Sequence, residues 1–396
     1  MTLSKRIQAM PYSAIRKLTP YANAAKKAGK KIYHLNIGAP DVKTPQVFFE
    51  AIKEADIDVL SYAPSPGLPE LLEATSNYYK GIGLDFEPQE IVVTNGASEA
   101  LFFVLFTLLD PGDEILTCEP YYANYFSYFT QAGVSLKTFP TSVENNFHLP
   151  SREVIEEKIS PKTKCILLSN PGNPTGAVYT QEEIHMVCQL AKDHDLYIIA
   201  DEVYREFIFD GAEFVSFASV KEVQDRVVVL DSISKRFSAC GARIGSVASK
   251  NPDIVRAMVK MATSRLAAPT LEMLGATALY EMEGDYFQEV REEYQKRRDC
   301  IYEELAKIEG VQASKSAGAF YTVAALPVED AEDFCRWLLE DFDLEGESLM
   351  MAPAAGFYEH SQDYKNQVRI AFILNTQDLK RAMHILDEGL KAYKAR

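Results

Sequence analysis

Residues 164–176 read KCILLSNPGNPTG, and this stretch decides the fold class because it joins a continuous apolar segment to a stiff Pro/Gly loop. Similar apolar segments occur at IVVT (91–94), EILTCEP (114–120), LYIIADE (196–202) and RVVVLDS (226–232), with helical sequence such as ALFFVLFTLLD (100–110) between them. Unbroken apolar runs favour strands that are covered on both faces. We therefore predict an α/β fold with a mostly parallel sheet flanked by helices.

The C-terminal third has a different pattern. A long helical segment covers residues 287–308, and strand-like segments follow at 319–326 and 367–372 with further helices between them. A chain of 396 residues usually divides into two domains rather than building one core. We predict a large domain over residues 46–285 and a smaller α+β domain formed by residues 1–45 and 286–396.

The amino-acid composition of the chain argues against several classes of binding partner. The net charge of −16 opposes binding to nucleic acid and to anionic membranes, and the sequence has no apolar run of 18 residues. The six cysteines form no C-x-x-C pair, which favours reduced thiols in a cytoplasmic protein. The six histidines show no metal-ligand spacing, so we predict no metal site.

The segment SISKRFSACGARIG (232–245) surrounds Lys235 with small residues, between Ser232 and Arg243. A lysine in such a setting suits Schiff-base chemistry, because burial and neighbouring cations lower the pKa of an amine. A single lysine in a protein is more often solvated, and the small neighbours make that interpretation less attractive here.

Two further segments place polar groups where a strand ends. TNGASEAL (94–101) joins a strand to a helix whose N-terminus, with Ala97 and Ser98, could bind a phosphate, although a simple small-residue turn is the plainer interpretation. ADEVYREF (200–207) puts Asp201 and Tyr204 at the carboxyl edge of the sheet, where α/β folds bind ligands. A surface acid beside a packed aromatic ring is equally compatible with this second segment.

Two residues are candidates for contacts to a substrate. Asn173 lies in a loop stiffened by two Asn-Pro steps, which would hold its amide in a fixed position. Arg369 lies between apolar residues in QVRIAF (367–372), and its planar guanidinium matches a carboxylate. Pairing of Arg369 with a structural acid is the favoured interpretation when this segment is taken by itself.

Taken together, the ordered motifs NGAS, NPGNPTG, DEVY, SxSK with an arginine eight residues after the lysine, and VRI resemble the class I/II aminotransferases of the pyridoxal 5'-phosphate (PLP) fold type I, which are aspartate aminotransferase-like. LNIGAPD (35–41) and YAPSPGLPELLEA (62–74) extend the resemblance over nearly the whole chain. Each motif is modest, but their joint order and spacing are specific.

The resemblance implies how PLP would be held. Lys235 would bind the cofactor covalently, Asp201 would face the ring nitrogen, and Asn173 and Tyr204 would hydrogen-bond the ring oxygen O3'. The remaining implied contacts are Tyr122 on the ring face and, around the phosphate, Ala97, Ser98, Ser232, Arg243 and Tyr62 of a neighbouring subunit.

The resemblance also implies the reaction. Arg369 would bind the substrate α-carboxylate beside the Gly38 backbone, and Lys235 would move the proton at the substrate Cα. An amino group would pass from an L-amino acid to a 2-oxo acid with ping-pong kinetics, with glutamate and 2-oxoglutarate as one pair. Because Tyr62 would reach across subunits, the protein would be a homodimer with shared active sites.

The chain departs from the family pattern at positions that affect specificity. Some aspartate aminotransferases have a lysine where this chain has Ser98, and Arg265 in ATSRLAAP could replace that cation across the dimer. Ala242 stands where tryptophan is common, and Leu72 where arginine is common. Two other functions stay open from the sequence: a PLP-dependent C–S lyase that performs β-elimination, and a ligand-binding protein without activity.

Overall fold

The computed structural model describes residues 2–396. Its strands are β1 (Lys31–His34), β2 (Ile91–Thr94), β3 (Glu114–Glu119), β4 (Ser135–Pro140), β5 (Thr163–Ser169), β6 (Tyr197–Asp201), β7 (Val227–Ser232), β8 (Gly245–Ser249), β9 (Gln312–Ala313), β10 (Tyr321–Ala325), β11 (Glu347–Met350), β12 (Ala352–Pro353) and β13 (Gln367–Ala371). Its helices are α1 (Lys5–Ala9), α2 (Thr19–Lys27), α3 (Gln46–Lys53), α4 (Pro69–Gly81), α5 (Gly96–Leu108), α6 (Asn124–Ala132), α7 (Arg152–Glu156), α8 (Gln181–Asp193), α9 (Ile233–Arg236), α10 (Pro252–Arg265), α11 (Thr270–Tyr280), α12 (Tyr286–Leu305), α13 (Ala331–Glu340) and α14 (Thr376–Lys394).

The large sheet of the described residues has seven strands in the order β2-β8-β7-β6-β5-β3-β4. All neighbours pair in parallel except around β8, which runs antiparallel to both β2 and β7. Alternate residues of one strand enter two different cores: Ile166 and Leu168 of β5 pack on the side of α8, whereas Cys165 and Leu167 pack on the side of α5. The predicted α/β fold with a mostly parallel sheet covered on both faces is confirmed.

The second region is built from a four-stranded antiparallel sheet in the order β12-β13-β10-β9 and from the parallel pair β1–β11. Helices α12, α13 and α14 contribute to its core. Its strands come from residues 31–34 and 312–371, and those of the large sheet from residues 91–249. This distribution supports the division at residues 45/46 and 285/286, which stays a prediction.

The sequence located most strands of the large sheet to within one or two residues, but it did not indicate β4 or β8. β8 reads GSVAS, and glycine, serine and alanine have low strand propensity. Its burial comes from its place between β2 and β7 and from close contact with the start of α5. A Cβ atom on Gly245 would lie 2.6 Å from the carbonyl carbon of Gly96, so glycine is required there.

The sequence predicted neither a membrane-spanning segment nor a metal site. Within residues 2–396, no helix has both the length and the apolar character needed to cross a membrane. The same part of the chain brings together no group of three or more histidine, cysteine or carboxylate side chains that could hold a metal ion.

Candidate active site

One cavity of about 480 Å³ lies between the carboxyl edge of the large sheet, the N-terminal segment and the region that contains β10 and β13. It contains every predicted site residue except Tyr62. The predicted residues that line it are Gly38, Ala97, Ser98, Tyr122, Asn173, Asp201, Tyr204, Ser232, Lys235, Arg243 and Arg369. Positions spread over more than 300 residues therefore converge on one space.

Lys235 projects from α9, the single helical turn that follows β7. Ser232 caps this turn, since its hydroxyl accepts a hydrogen bond of 3.1 Å from the Ser234 amide. The half-buried Lys235 amine donates a 2.7 Å hydrogen bond to the Gly38 carbonyl. A Cβ atom on Gly38 would overlap the Tyr321 hydroxyl, so glycine lets the N-terminal arm approach the cavity.

The start of α5 forms an anion cradle. Gly96 has a φ of 74°, and a Cβ atom there would collide with the guanidinium of Arg243. Arg243 donates to the carbonyls of Cys240 at 2.9 Å and Asn95 at 3.2 Å, and it remains exposed. Backbone N–H groups at the helix start, next to Ser98 and a cation, provide the donors and the positive potential that a phosphate requires.

Asp201 ends β6 as a buried carboxylate. The Tyr125 hydroxyl donates a 2.5 Å hydrogen bond to its Oδ2 atom, and the Val203 amide lies 3.4 Å from its Oδ1 atom. Burial raises the pKa of Asp201 to about 6, and the Tyr125 hydrogen bond partly opposes this rise. A cation placed beside Asp201 would favour its ionised form.

Asn173, Tyr204 and Tyr321 form a polar wall. The Asn173 amide lies 3.5 Å from the Tyr204 hydroxyl, which lies 2.9 Å from the Tyr321 hydroxyl. Burial raises the pKa of Tyr204 well above its ordinary value, so its hydroxyl stays protonated and can donate a hydrogen bond. The wall offers both an amide and a phenol to one ligand oxygen.

Arg369 is 1% exposed and lies on β13. It donates to Asn173 Oδ1 at 3.1 Å and to the Asn36 carbonyl at 2.5 Å, and its guanidinium carbon lies 4.5 Å from the Tyr321 ring centre. In the described chain its Nε atom has no hydrogen-bond partner, and no carboxylate lies within 4.0 Å. The pairing with a structural acid that the local sequence favoured is therefore not found, and a buried cation without a counter-ion suits an anionic ligand.

Tyr122 lines the cavity beside Tyr125, with ring centres 5.3 Å apart at 87°. Asn124 orients it by donating a 2.9 Å hydrogen bond to its hydroxyl. Tyr62, in contrast, is 81% exposed and lies in a separate surface depression together with Asn95 and Thr270. Its proposed contact with a neighbouring subunit stays a prediction.

Arg265 has partners within its own chain. Its guanidinium pairs with Glu99 at 2.6 Å and donates to the carbonyls of Ser65 and Val93, both at 3.2 Å. Contact with a substrate would require Arg265 to leave all three partners, which makes it a poor replacement for the lysine that is missing at Ser98.

The cavity residues that sequence reasoning missed include Arg16, Tyr125, Ser234 and Tyr321. Tyr125 lies three residues after Tyr122 on the same segment, but one tyrosine among several carries no distinctive pattern. Tyr321 follows the SAGAF segment at the start of β10. Only the pairing of β10 with β13, in which Tyr321 lies opposite Ala371, two residues after Arg369, brings it to the site.

Comparison with known proteins agrees with this geometry. The family described as "Aminotransferase class I and II" matches residues 30–386. The aspartate aminotransferase of Geobacillus stearothermophilus is 31% identical over 99% of this chain and 100% of its own length. The aromatic-amino-acid aminotransferase 2 of Thermococcus litoralis is 30% identical over 100% of both chains.

A solved structure is similarly close. The alanine aminotransferase of Pyrococcus furiosus superposes with a TM-score of 0.90 at 30% identity, covering 99% of this chain and 100% of its own. All three relatives are named as aminotransferases, for aspartate, for aromatic amino acids and for alanine, and none of these names indicates a C–S lyase. This chain belongs to the class I and II aminotransferase family, and it is an enzyme that acts as a transaminase.

Proposed function

We propose that this transaminase binds PLP through Lys235 and moves an amino group between an L-amino acid and a 2-oxo acid, with glutamate and 2-oxoglutarate as one pair. The observation that carries the proposal is the convergence of Lys235, Asp201, Arg243 and Arg369 in one cavity. An amine, a buried carboxylate and an anion cradle correspond to the aldehyde, the ring nitrogen and the phosphate of PLP. The buried guanidinium corresponds to a substrate carboxylate.

When bound, PLP supplies an electron sink for the bond electrons released at the substrate Cα atom. Asp201 keeps the ring nitrogen protonated, because a carboxylate beside that nitrogen favours its cationic form. Tyr125 fixes the carboxylate by its 2.5 Å hydrogen bond. Asn173 and Tyr204 would donate to the ring oxygen, and Tyr122 would pack on the ring face.

Arg369 holds the substrate by its α-carboxylate. Its guanidinium is already fixed by Asn173 and by the Asn36 carbonyl, so little side-chain entropy is lost when the substrate binds. The substrate Cα atom is thereby positioned before Lys235 acts. Once the substrate amino group has taken the place of Lys235 on the cofactor, the freed Nζ atom of Lys235 would accept the Cα proton as a general base and return a proton as a general acid.

We also propose a homodimer in which Tyr62 reaches the phosphate of the partner's cofactor. Tyr62 lies among exposed apolar side chains: Leu60 is 61% exposed and Val59 74%. A group of exposed apolar residues of this kind marks interaction surfaces. The proposed cytoplasmic location is supported by the cysteines, all of which are free in the described chain.

The test is a single-turnover screen of amino acids with the purified holoenzyme in the absence of an oxo-acid acceptor. The wild type should release one 2-oxo acid per active site, and Lys235→Ala should release none. Lys250→Ala is the matched control, because Lys250 pairs with Glu90 at 2.8 Å outside the cavity, and this variant should behave as the wild type does. Oxo-acid release by Lys235→Ala at the wild-type rate would contradict the proposal, as would catalytic pyruvate formation from cystathionine without an acceptor.

A further inference from the structure

The cavity contains one cation to which the proposed function gives no role. Its charged lining residues in the described chain are Arg16, Lys235, Arg243 and Arg369 against the single acid Asp201. Lys235 binds the cofactor, Arg243 lies at the phosphate cradle, and Arg369 binds the α-carboxylate. Arg16 remains, on the N-terminal arm.

Arg16 also lacks a partner within the protein. It is exposed, and among residues 2–396 no carboxylate lies within 4.0 Å of its guanidinium. Its side chain donates no hydrogen bond in that part of the chain. The neighbouring Lys17 differs, because its amine pairs with Glu332 outside the cavity. A cation that faces a binding cavity without a counter-ion can accept an anionic group of a ligand.

The backbone under Arg16 is fixed and is linked to Arg369. The amides of Arg16 and Lys17 donate to the Ser13 carbonyl at 3.0 and 2.9 Å, which forms a tight turn. The Ile15 carbonyl accepts a 2.9 Å hydrogen bond from the fully buried side chain of Asn36. The Asn36 carbonyl in turn accepts from Arg369. One buried residue therefore links the backbone next to Arg16 to the guanidinium of Arg369.

The other candidates for the second cation are neutral or already paired. Ser98 stands where some relatives carry lysine, and Arg265 is held by Glu99 and two main-chain carbonyls. The other lining residues of the cavity include Ile37, Asn124 and Tyr128, none of which carries a charge. Arg16 is therefore the cation of the described chain that is available for a second carboxylate.

We propose that Arg16 binds the distal carboxylate of a dicarboxylic amino acid and thereby makes this enzyme a dicarboxylate transaminase. The proposal rests on the assignment of Arg369 to the α-carboxylate. A guanidinium at each end of the substrate would select a molecule with two carboxylates, because an arginine–carboxylate pair is stronger than a contact with a neutral amide. Glutamine and alanine would then be poor donors for the same reason.

The test compares Arg16→Met with the matched control Lys17→Met in the holoenzyme. For Arg16→Met we expect kcat/KM for glutamate to fall by about 30-fold, as befits loss of a charge-assisted hydrogen bond, while the value for alanine changes less than about 3-fold. Arg16→Lys should recover part of the loss. Lys17→Met should keep the wild-type ratio of glutamate to glutamine.

A second measurement does not require catalysis. Titration of the holoenzyme with glutarate and with butyrate should show that the wild type binds the dicarboxylate at least about tenfold more tightly, that Arg16→Met loses this preference, and that Lys17→Met retains it. The proposal is overturned if Arg16→Met reduces glutamate and glutamine turnover equally, or if the wild type does not distinguish glutarate from butyrate. If the holoenzyme does not catalyse transamination but still binds glutarate more tightly than butyrate, the proposed reaction is wrong and the proposed role of Arg16 is retained.

Discussion

Replacing Asp201 by asparagine should stabilise the protein without its cofactor while impairing cofactor binding and catalysis. Burial raises the pKa of this carboxyl from 3.8 to about 6. Between these two pH values the unfolded chain has lost the proton that the folded chain still holds, so the free energy of unfolding falls as the pH rises. Below pH 3.8 the carboxyl is protonated in both states and imposes no cost.

The magnitude follows from the difference between the two pKa values. At about 1.4 kcal/mol per pKa unit, the raised pKa of Asp201 lowers the free energy of unfolding by about 3 kcal/mol at pH 8. Asparagine carries no charge at any of these pH values, and its amide can still hydrogen-bond the Tyr125 hydroxyl. We expect the free energy of unfolding of the variant to exceed that of the wild type by between about 1 and 3 kcal/mol at pH 8. This difference should disappear towards pH 4.

Urea unfolding of the cofactor-free wild type and Asp201→Asn at pH 4, 6 and 8 measures this effect. In parallel, equilibrium dialysis should show weaker PLP binding by the variant, since the anion that faces the ring nitrogen is gone. The reasoning is refuted if the variant is no more stable than the wild type at pH 8, or if its advantage is the same at pH 4.

Three other substitutions test separate parts of the account. Arg369→Lys should lower kcat/KM for every amino donor by about 100-fold, because lysine cannot form the two-pronged contact with the α-carboxylate; a change confined to dicarboxylic donors would contradict this role. Arg236→Met removes a fully buried partner of Asp231. It should lower the free energy of unfolding, measured in urea, by about 3 kcal/mol, whereas the same change at the exposed Arg256 should lower it little. Tyr62→Phe should raise the dissociation constant of PLP by about fivefold, and an unchanged constant would argue against a shared site.

Much of the site could be predicted because its chemistry is carried by short segments. NPGNPTG, DEVY and SxSK each place a functional side chain at the end of a strand, and the parallel sheet brings those ends to one edge. The partners of these residues were not predictable in the same way. Tyr125 reaches Asp201 from 76 positions away, and Tyr321 meets Arg369 only through the pairing of β10 with β13.

Two arginines outside the family motifs show that local sequence does not reveal whether a charged side chain is paired. Arg265 is the last residue of α10 and was a candidate for substrate contact, but it pairs with Glu99, 166 positions away. Arg16 lies in a basic stretch with no distinguishing pattern, yet the fold places it in the cavity without a counter-ion. Whether a charged side chain is paired depends on contacts between distant segments, and local sequence does not contain that information.

The central claim is that the Lys235 amine bonds to the cofactor aldehyde. Borohydride reduction of the holoenzyme makes this bond permanent, and proteolysis followed by mass spectrometry locates the modified lysine. We expect a single pyridoxyl-modified peptide containing Lys235, and we expect no modification in Lys235→Ala. Modification of a different lysine in the wild type, or of none, would contradict the account.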